Sequence, residues 1–156
     1  MVYVFDTNSI EVISNYYPDT FPAFWERFED AVSNGAVVSV REVFNELENR
    51  TGHKWIWDWA KRNKEMFLIP QQAELEFVGR IFRVRHFLAL VGEQQRLTGQ
   101  PVADPFIIAC AAVRNGCVVT EEKLKENAAK IPNVCQHFNV EYTDVKGFLV
   151  GNNWKF

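Results

Sequence analysis

Short apolar runs, each broken by a polar cluster, recur along this chain. Residues 2–5 (VYVF) run into Asp-Thr-Asn-Ser, which reads as a strand meeting a helix-start signal. Residues 36–40 (AVVSV) repeat the pattern after Asn34-Gly35. The segment 41–50 (REVFNELENR) follows as a helix, with Val43, Phe44 and Leu47 on one side. A third run, 67–69 (FLI), is closed by Pro70. Ala103-Asp104-Pro105 opens a helix through FIIACAAVRNG, with proline at its first position and Gly116 past its end. Residues 117–119 (CVV) form a fourth strand, and Thr120 starts another helix. A last strand is expected around 138–142, with a short helix from Asp144. Between 51 and 100, WIWDWAKRNKEMF and AELEFVGRIFRVRHFLALVGEQQRL predict two or three helices. Brief apolar strands alternating with helices describe an α/β protein, its mostly parallel sheet of four to five strands covered on both faces.

Carboxylates gather where those strands end. Asp6 follows VYVF, Glu42 and Glu46 follow VVSV at i,i+4 spacing, Asp104 opens the helix before CVV, and Glu121 and Glu122 follow CVVT. Each has an ordinary explanation when taken singly. Asp6 and Asp104 suit N-caps, Glu121 and Glu122 suit a first helical turn, and Glu42 and Glu46 suit a solvated face. Caps, however, need not collect at one edge of a sheet, and in open parallel sheets that edge is where ligands bind. Like charges in one crevice call for a cation. Hard oxygen ligands favour Mg²⁺ or Mn²⁺, and two such ions about 4 Å apart clamp the attacking and leaving oxygens of a phosphodiester.

Composition narrows this picture. With 156 residues the chain suits one domain, 1–156, and 47% hydrophobic with 24% charged residues is ordinary for a globular protein. No apolar run is long enough to span a bilayer, and MVYVFD has no basic leader, so a cytoplasmic protein is expected. Cys110, Cys117 and Cys135 make no closed disulfide set and are read as buried thiols. A net charge of −3 argues against binding nucleic acid by bulk electrostatics, leaving local basic patches and metal ions to do it.

Taken in order, FDTNSI, the acid in REVFNEL, ADPFIIACAAV and VVTEEK resemble the successive motifs of PIN domains over residues 2–125. IPNVCQHFNVEY resembles the tail of a less-studied branch. The resemblance implies a three-layer α/β/α fold, divalent-metal-dependent ribonuclease activity and, often, a toxin role countered by an antitoxin. Carried over by motif position, Asp6 matches the first metal ligand, Glu46 the helix glutamate, with Glu42 competing one turn earlier, and Asp104 the third acid. The family's last motif reads Thr, any residue, Asp. Here it reads Thr120-Glu121-Glu122, so Glu122 takes the fourth position with one extra methylene. Asn8 and Thr120 match polar positions that line the site. The ion would activate a water for in-line attack, so no side-chain nucleophile is required. Ser9 and Ser14 have no evident base.

Other features are weighed against blander readings. Arg80, Arg83 and Arg85, with His86, fall in one predicted helix without an intervening acid. They offer contacts to RNA phosphates or to an antitoxin, although a solvated helix explains them as well. Trp55 and Trp59, one turn apart, are expected to pack in the core or a dimer interface. His53, His86 and His137 are scattered and read as incidental. Thr98-Gly99-Gln100-Pro101 reads as a turn presenting the Asp104 helix. RNA substrate, an antitoxin protein and a second copy of the chain are the expected partners. The alternative readings are a PIN-like module with a degraded site, acting through protein or RNA contacts, and a phosphatase-like hydrolase, for which a phosphate-cradling glycine loop is lacking.

Overall fold

The computed structural model describes residues 1–50, 52–90 and 102–156, apart from the side chain of Arg50. Its strands are β1 (Tyr3–Phe5), β2 (Val37–Val40), β3 (Phe67–Leu68), β4 (Cys117–Val119) and β5 (Glu141–Thr143). They form one sheet in the order β3-β2-β1-β4-β5, and every pairing is parallel. Helices α1 (Thr7–Ile13), α2 (Pro22–Ser33), α3 (Arg41–Arg50), α4 (Lys54–Arg62), α5 (Gln72–Arg83), α6 (Ala103–Val113), α7 (Ile131–Phe138) and α8 (Val145–Gly151) flank it, with 3-10 turns at Lys64–Met66 and Arg85–Leu90. This is a PIN-like α/β fold.

The chain lays down β1, β2 and β3 outward in one direction, then returns to place β4 on the other side of β1. Strand order therefore reverses between β1 and β4, and the crevice beyond their C-terminal ends is the expected binding position. All four residues of β2 and all three of β4 are buried, as strands in a sheet covered on both faces should be, with the one polar member, Ser39, donating its hydroxyl to Phe5 O at 2.6 Å. Helix α6 is buried along Ile107–Ala111, which explains a sequence apolar on nearly every side. On one face an aromatic cluster of Phe24, Trp25, Phe28, Trp59 and Phe148 packs largely edge to face. Trp25 sits 5.1 Å from Trp55 and 5.4 Å from Trp59, so these two of α4's three tryptophans pack with the core, Trp59 buried and Trp55 half-buried against it. All three cysteines are buried free thiols, and burial pushes them up to about 12, 11 and 12 for Cys110, Cys117 and Cys135.

Three expectations need correction, and one helix was not anticipated. Helix α2 has no counterpart in the reading of the sequence. It starts at Pro22 without a side-chain cap, so its start signal is weak, and Phe24, Trp25 and Phe28 anchor it by burial. No helix starts at Thr120; residues 120–130 are irregular, and the helix comes later as α7. The Thr120 Oγ1 accepts from Glu122 N at 3.1 Å, an alternative to helix that threonine offers its own backbone. Residues 138–140 are not strand, because α7 runs to Phe138 and ends on Asn139 in the left-handed region. Arg80, Arg83 and Arg85 do not share a helix: Val84 is extended and ends α5, leaving Arg85 and His86 in the following 3-10 turn. The predicted turn at 98–101 lies outside the described residues.

Candidate functional site

Asp6 stands one residue beyond β1, at the point where strand order reverses. Its amide donates to Val119 O at 3.0 Å, fixing it against β4, and its Oδ1 accepts from Ser9 N at 2.8 Å as the N-cap of α1. Ser9 adds a hydroxyl bond to Val119 O at 2.8 Å, so the cap turn is stitched to β4 twice. The Asp6 side chain is 3% exposed. Burial raises its pKa to about 6; hydrogen bonds from Thr120 and Ser9 pull it down, and the nearby Glu122 carboxylate pushes it further up. Thr120 is itself buried and sits directly after β4.

Glu46, one turn along α3, joins two loops. Its Oε2 accepts from the Thr7 hydroxyl at 2.5 Å and its Oε1 from Ala103 N at 3.3 Å. Thr7 adjoins Asp6 and Ala103 adjoins Asp104, so this one carboxylate draws the two aspartate-bearing turns together. Asp104 lies in the first turn of α6 rather than at its cap, which is Val102; Pro105 is the third helical residue rather than the first. A first-turn proline is still tolerated because its missing N–H has no helical acceptor. Glu122 accepts from Ile131 N at 3.2 Å through Oε2.

Asp6, Thr120 and Glu122 are therefore in one place, and Glu46 ties them to the Asp104 turn. Asn8 is half-buried in the first turn of α1 beside them. Glu42 and Glu121 point elsewhere. Glu42 is 1% exposed, pairs with Arg41 Nε at 3.1 Å, and leaves its Oε1 buried without a hydrogen-bond partner. Burial raises its pKa, Arg41 opposes this, and Glu74 adds to the rise. Glu121 accepts from Val145 N at 3.0 Å and serves the start of α8 instead of its own turn. Thr7 went unnoticed in the sequence and Ser9 was weighed only as a nucleophile; the signal was their place in the same first turn as Asn8, after Asp6.

Asp6, Glu46, Asp104 and Glu122 are hard oxygen donors suited to Mg²⁺ or Mn²⁺. A buried carboxyl whose charge is disfavoured, with a second carboxylate beside it, is what a cation would relieve. In the present side-chain positions, no group of three or more His, Cys, Asp or Glu among the described residues is gathered closely enough to hold an ion. Glu46 and Glu122 are instead taken up by N–H and O–H donors.

The family model described as "Domain of unknown function (DUF4411)" matches residues 3–156. No curated protein matches the chain. Among solved structures, a chain in the crystal structure of VapBC2 from Rickettsia felis bound to a DNA fragment from their promoter is similar in fold. The TM-score is 0.51 at 15% identity, covering 92% of this chain and 98% of that one.

Proposed function

The chain belongs to this family of domains of unknown function, and from the site it carries we propose that it is a divalent-metal-dependent endoribonuclease acting as the toxin of a toxin–antitoxin pair. One observation carries the reading. The Glu46 carboxylate holds the turns of Asp6 and Asp104 together at the switch point of a PIN-like parallel sheet. The fold shared with a chain of VapBC2 supports the toxin–antitoxin half.

Asp6 and Asp104 would hold Mg²⁺ or Mn²⁺, with Glu46 and Glu122 completing the acidic set, and the ion would supply an activated water and charge neutralisation at the phosphate. The protein's own part is positional. Ser9 and Thr120 keep the Asp6 carboxylate aimed through hydrogen bonds that favour its charged form. Thr7 and Ala103 fix Glu46. Arg80, Arg83 and Arg85, all exposed, offer cationic contacts to the RNA backbone or to an antitoxin, and a homodimer is the expected assembly.

Purified protein should cut single-stranded RNA with Mg²⁺ or Mn²⁺ and stop with chelator. Asp6→Asn and Asp104→Asn should abolish cutting while remaining folded. Cleavage that survives both substitutions rejects the site. A folded wild type that takes up no metal by calorimetry hands the case to a module with a degraded site, for which the longer Glu122 is the reason.

A further inference from the structure

An open groove of about 630 Å³ is lined by His86, Phe87, Asn127, Asn133, Gln136 and His137, with Ala128. None of its lining residues is acidic, in a chain whose net charge is −3. It shares the irregular loop that carries Glu122. Ile131 N closes that loop on Glu122 at 3.2 Å, and Asn133 Nδ2 donates to Lys125 O at 2.7 Å while its Oδ1 accepts from Lys130 N at 3.3 Å. Between these ties, Asn127 adopts φ +60°, a left-handed turn position that asparagine tolerates. The opposite wall comes from the turn Arg85–Leu90. Glu74 in the first turn of α5 pairs with Arg114 just past α6 at 2.8 Å, so the two helices run antiparallel.

We infer that this groove is a nucleobase subsite for single-stranded RNA, holding a base next to the phosphate at the acidic site. It rests on the ribonuclease reading for its place in the reaction, but not for its chemistry. Exposed rings of His86 and His137 flank the buried Phe87, whose centroid is 5.8 Å and 5.2 Å from theirs, and the two imidazoles it backs supply flat faces for a base. Carboxamides carry a donor and an acceptor side by side, the pattern that reads base edges. Asn127 and Gln136 are exposed and so available for this, whereas Asn133 is occupied in fixing the loop. Arg80 lies over Phe77 at 4.9 Å and over Phe138, the neighbour of His137, at 5.6 Å.

The test titrates each nucleoside 5′-monophosphate into isotope-labelled protein with chelator present, following the side-chain amides of Asn127 and Gln136 and the His137 ring by NMR. In parallel, His137→Ala, Gln136→Ala and Asn127→Gly, the last keeping the left-handed turn, are assayed on an RNA oligonucleotide and on bis(p-nitrophenyl) phosphate, which has no base. Saturable shifts at those three residues are expected, unequal among the four nucleotides. The RNA KM should rise about tenfold in His137→Ala, with turnover of the base-free ester unchanged. Absent shifts, or variants that leave the RNA KM unmoved while RNA is still cut, overturn the subsite and leave the nuclease standing. Shifts in a protein that cuts no RNA overturn the nuclease and leave the subsite standing.

Discussion

A carboxyl that is 3% exposed costs stability whenever it is charged, and Asp6 is such a group. Its pKa is raised from 3.8 to about 6, so the native state holds this proton more tightly than the unfolded chain does. The stabilising share is fully present below 3.8, fades as pH rises through about 6, and amounts to something on the order of 3 kcal/mol. Asp6→Asn keeps an Oδ1 to accept from Ser9 N but removes the buried charge. Thermal unfolding should therefore place Asp6→Asn several degrees above wild type at pH 7.5 and level with it near pH 4, while RNA cleavage is lost. A lower melting temperature at pH 7.5 would mean that Asp6 is not carrying that cost. Excess Mg²⁺ should raise the wild-type melting temperature more at pH 7.5 than at pH 5, and should do little to Asp6→Asn. Much of this was legible in the residues, because an aspartate ending an apolar run and starting a Thr-Asn-Ser turn has few other places to go. Glu46 was preferred to Glu42 on motif position alone, since i,i+4 residues share a face. What parts them is the rise of roughly 6 Å between successive turns, which puts one beside Arg41 and the other against Thr7 and Ala103.

At the scale of the element, that separation gives a paired prediction. Glu42→Leu removes a buried carboxylate with an unpartnered oxygen and should raise stability by about 1 kcal/mol, with RNA cleavage unchanged within a few fold. Glu46→Gln should cut cleavage by roughly 100-fold, the usual loss when a positioned charge is removed from a phosphoryl site. Denaturant melts and initial rates on the same two proteins check both. Equal losses would show that the helix, not the carboxylate, matters. Between α6 and β4, Gly116 sits where a Cβ would collide with the backbone oxygen of Val2, and backbone cannot swing aside. Gly116→Ala should cost about 2 kcal/mol in a denaturant melt. The elements that the sequence concealed are those whose cause is tertiary. Helix α2 lacks a cap and is held by its aromatic face, and the 120–130 loop is irregular because Thr120, Glu121 and Glu122 bond to distant or local backbone instead of forming a turn. Helices α1, α3 and α6, each placed against a strand end by its own first-turn residues, were readable.

For the molecule as a whole, no helix among the described residues is long and apolar enough to cross a membrane. For the proposed toxin, induced expression of the wild type should slow growth and that of Asp104→Asn should not. Equal growth with both, at equal protein level, counts against a toxin. The strand order bears on when such harm begins. β1 is the central strand, yet only one of its neighbours, β2, comes early in the chain; the other, β4, ends at Val119. Asp6 takes its final position by bonding to Val119 O, and both Thr120 and Glu122 follow it. A nascent chain thus carries Asp6 through the making of β2, β3 and the helices between them without the strand that orients it. On the proposed reading the acidic site cannot assemble on a nascent chain before β4 has been made, which leaves time for an antagonist made alongside it to be waiting.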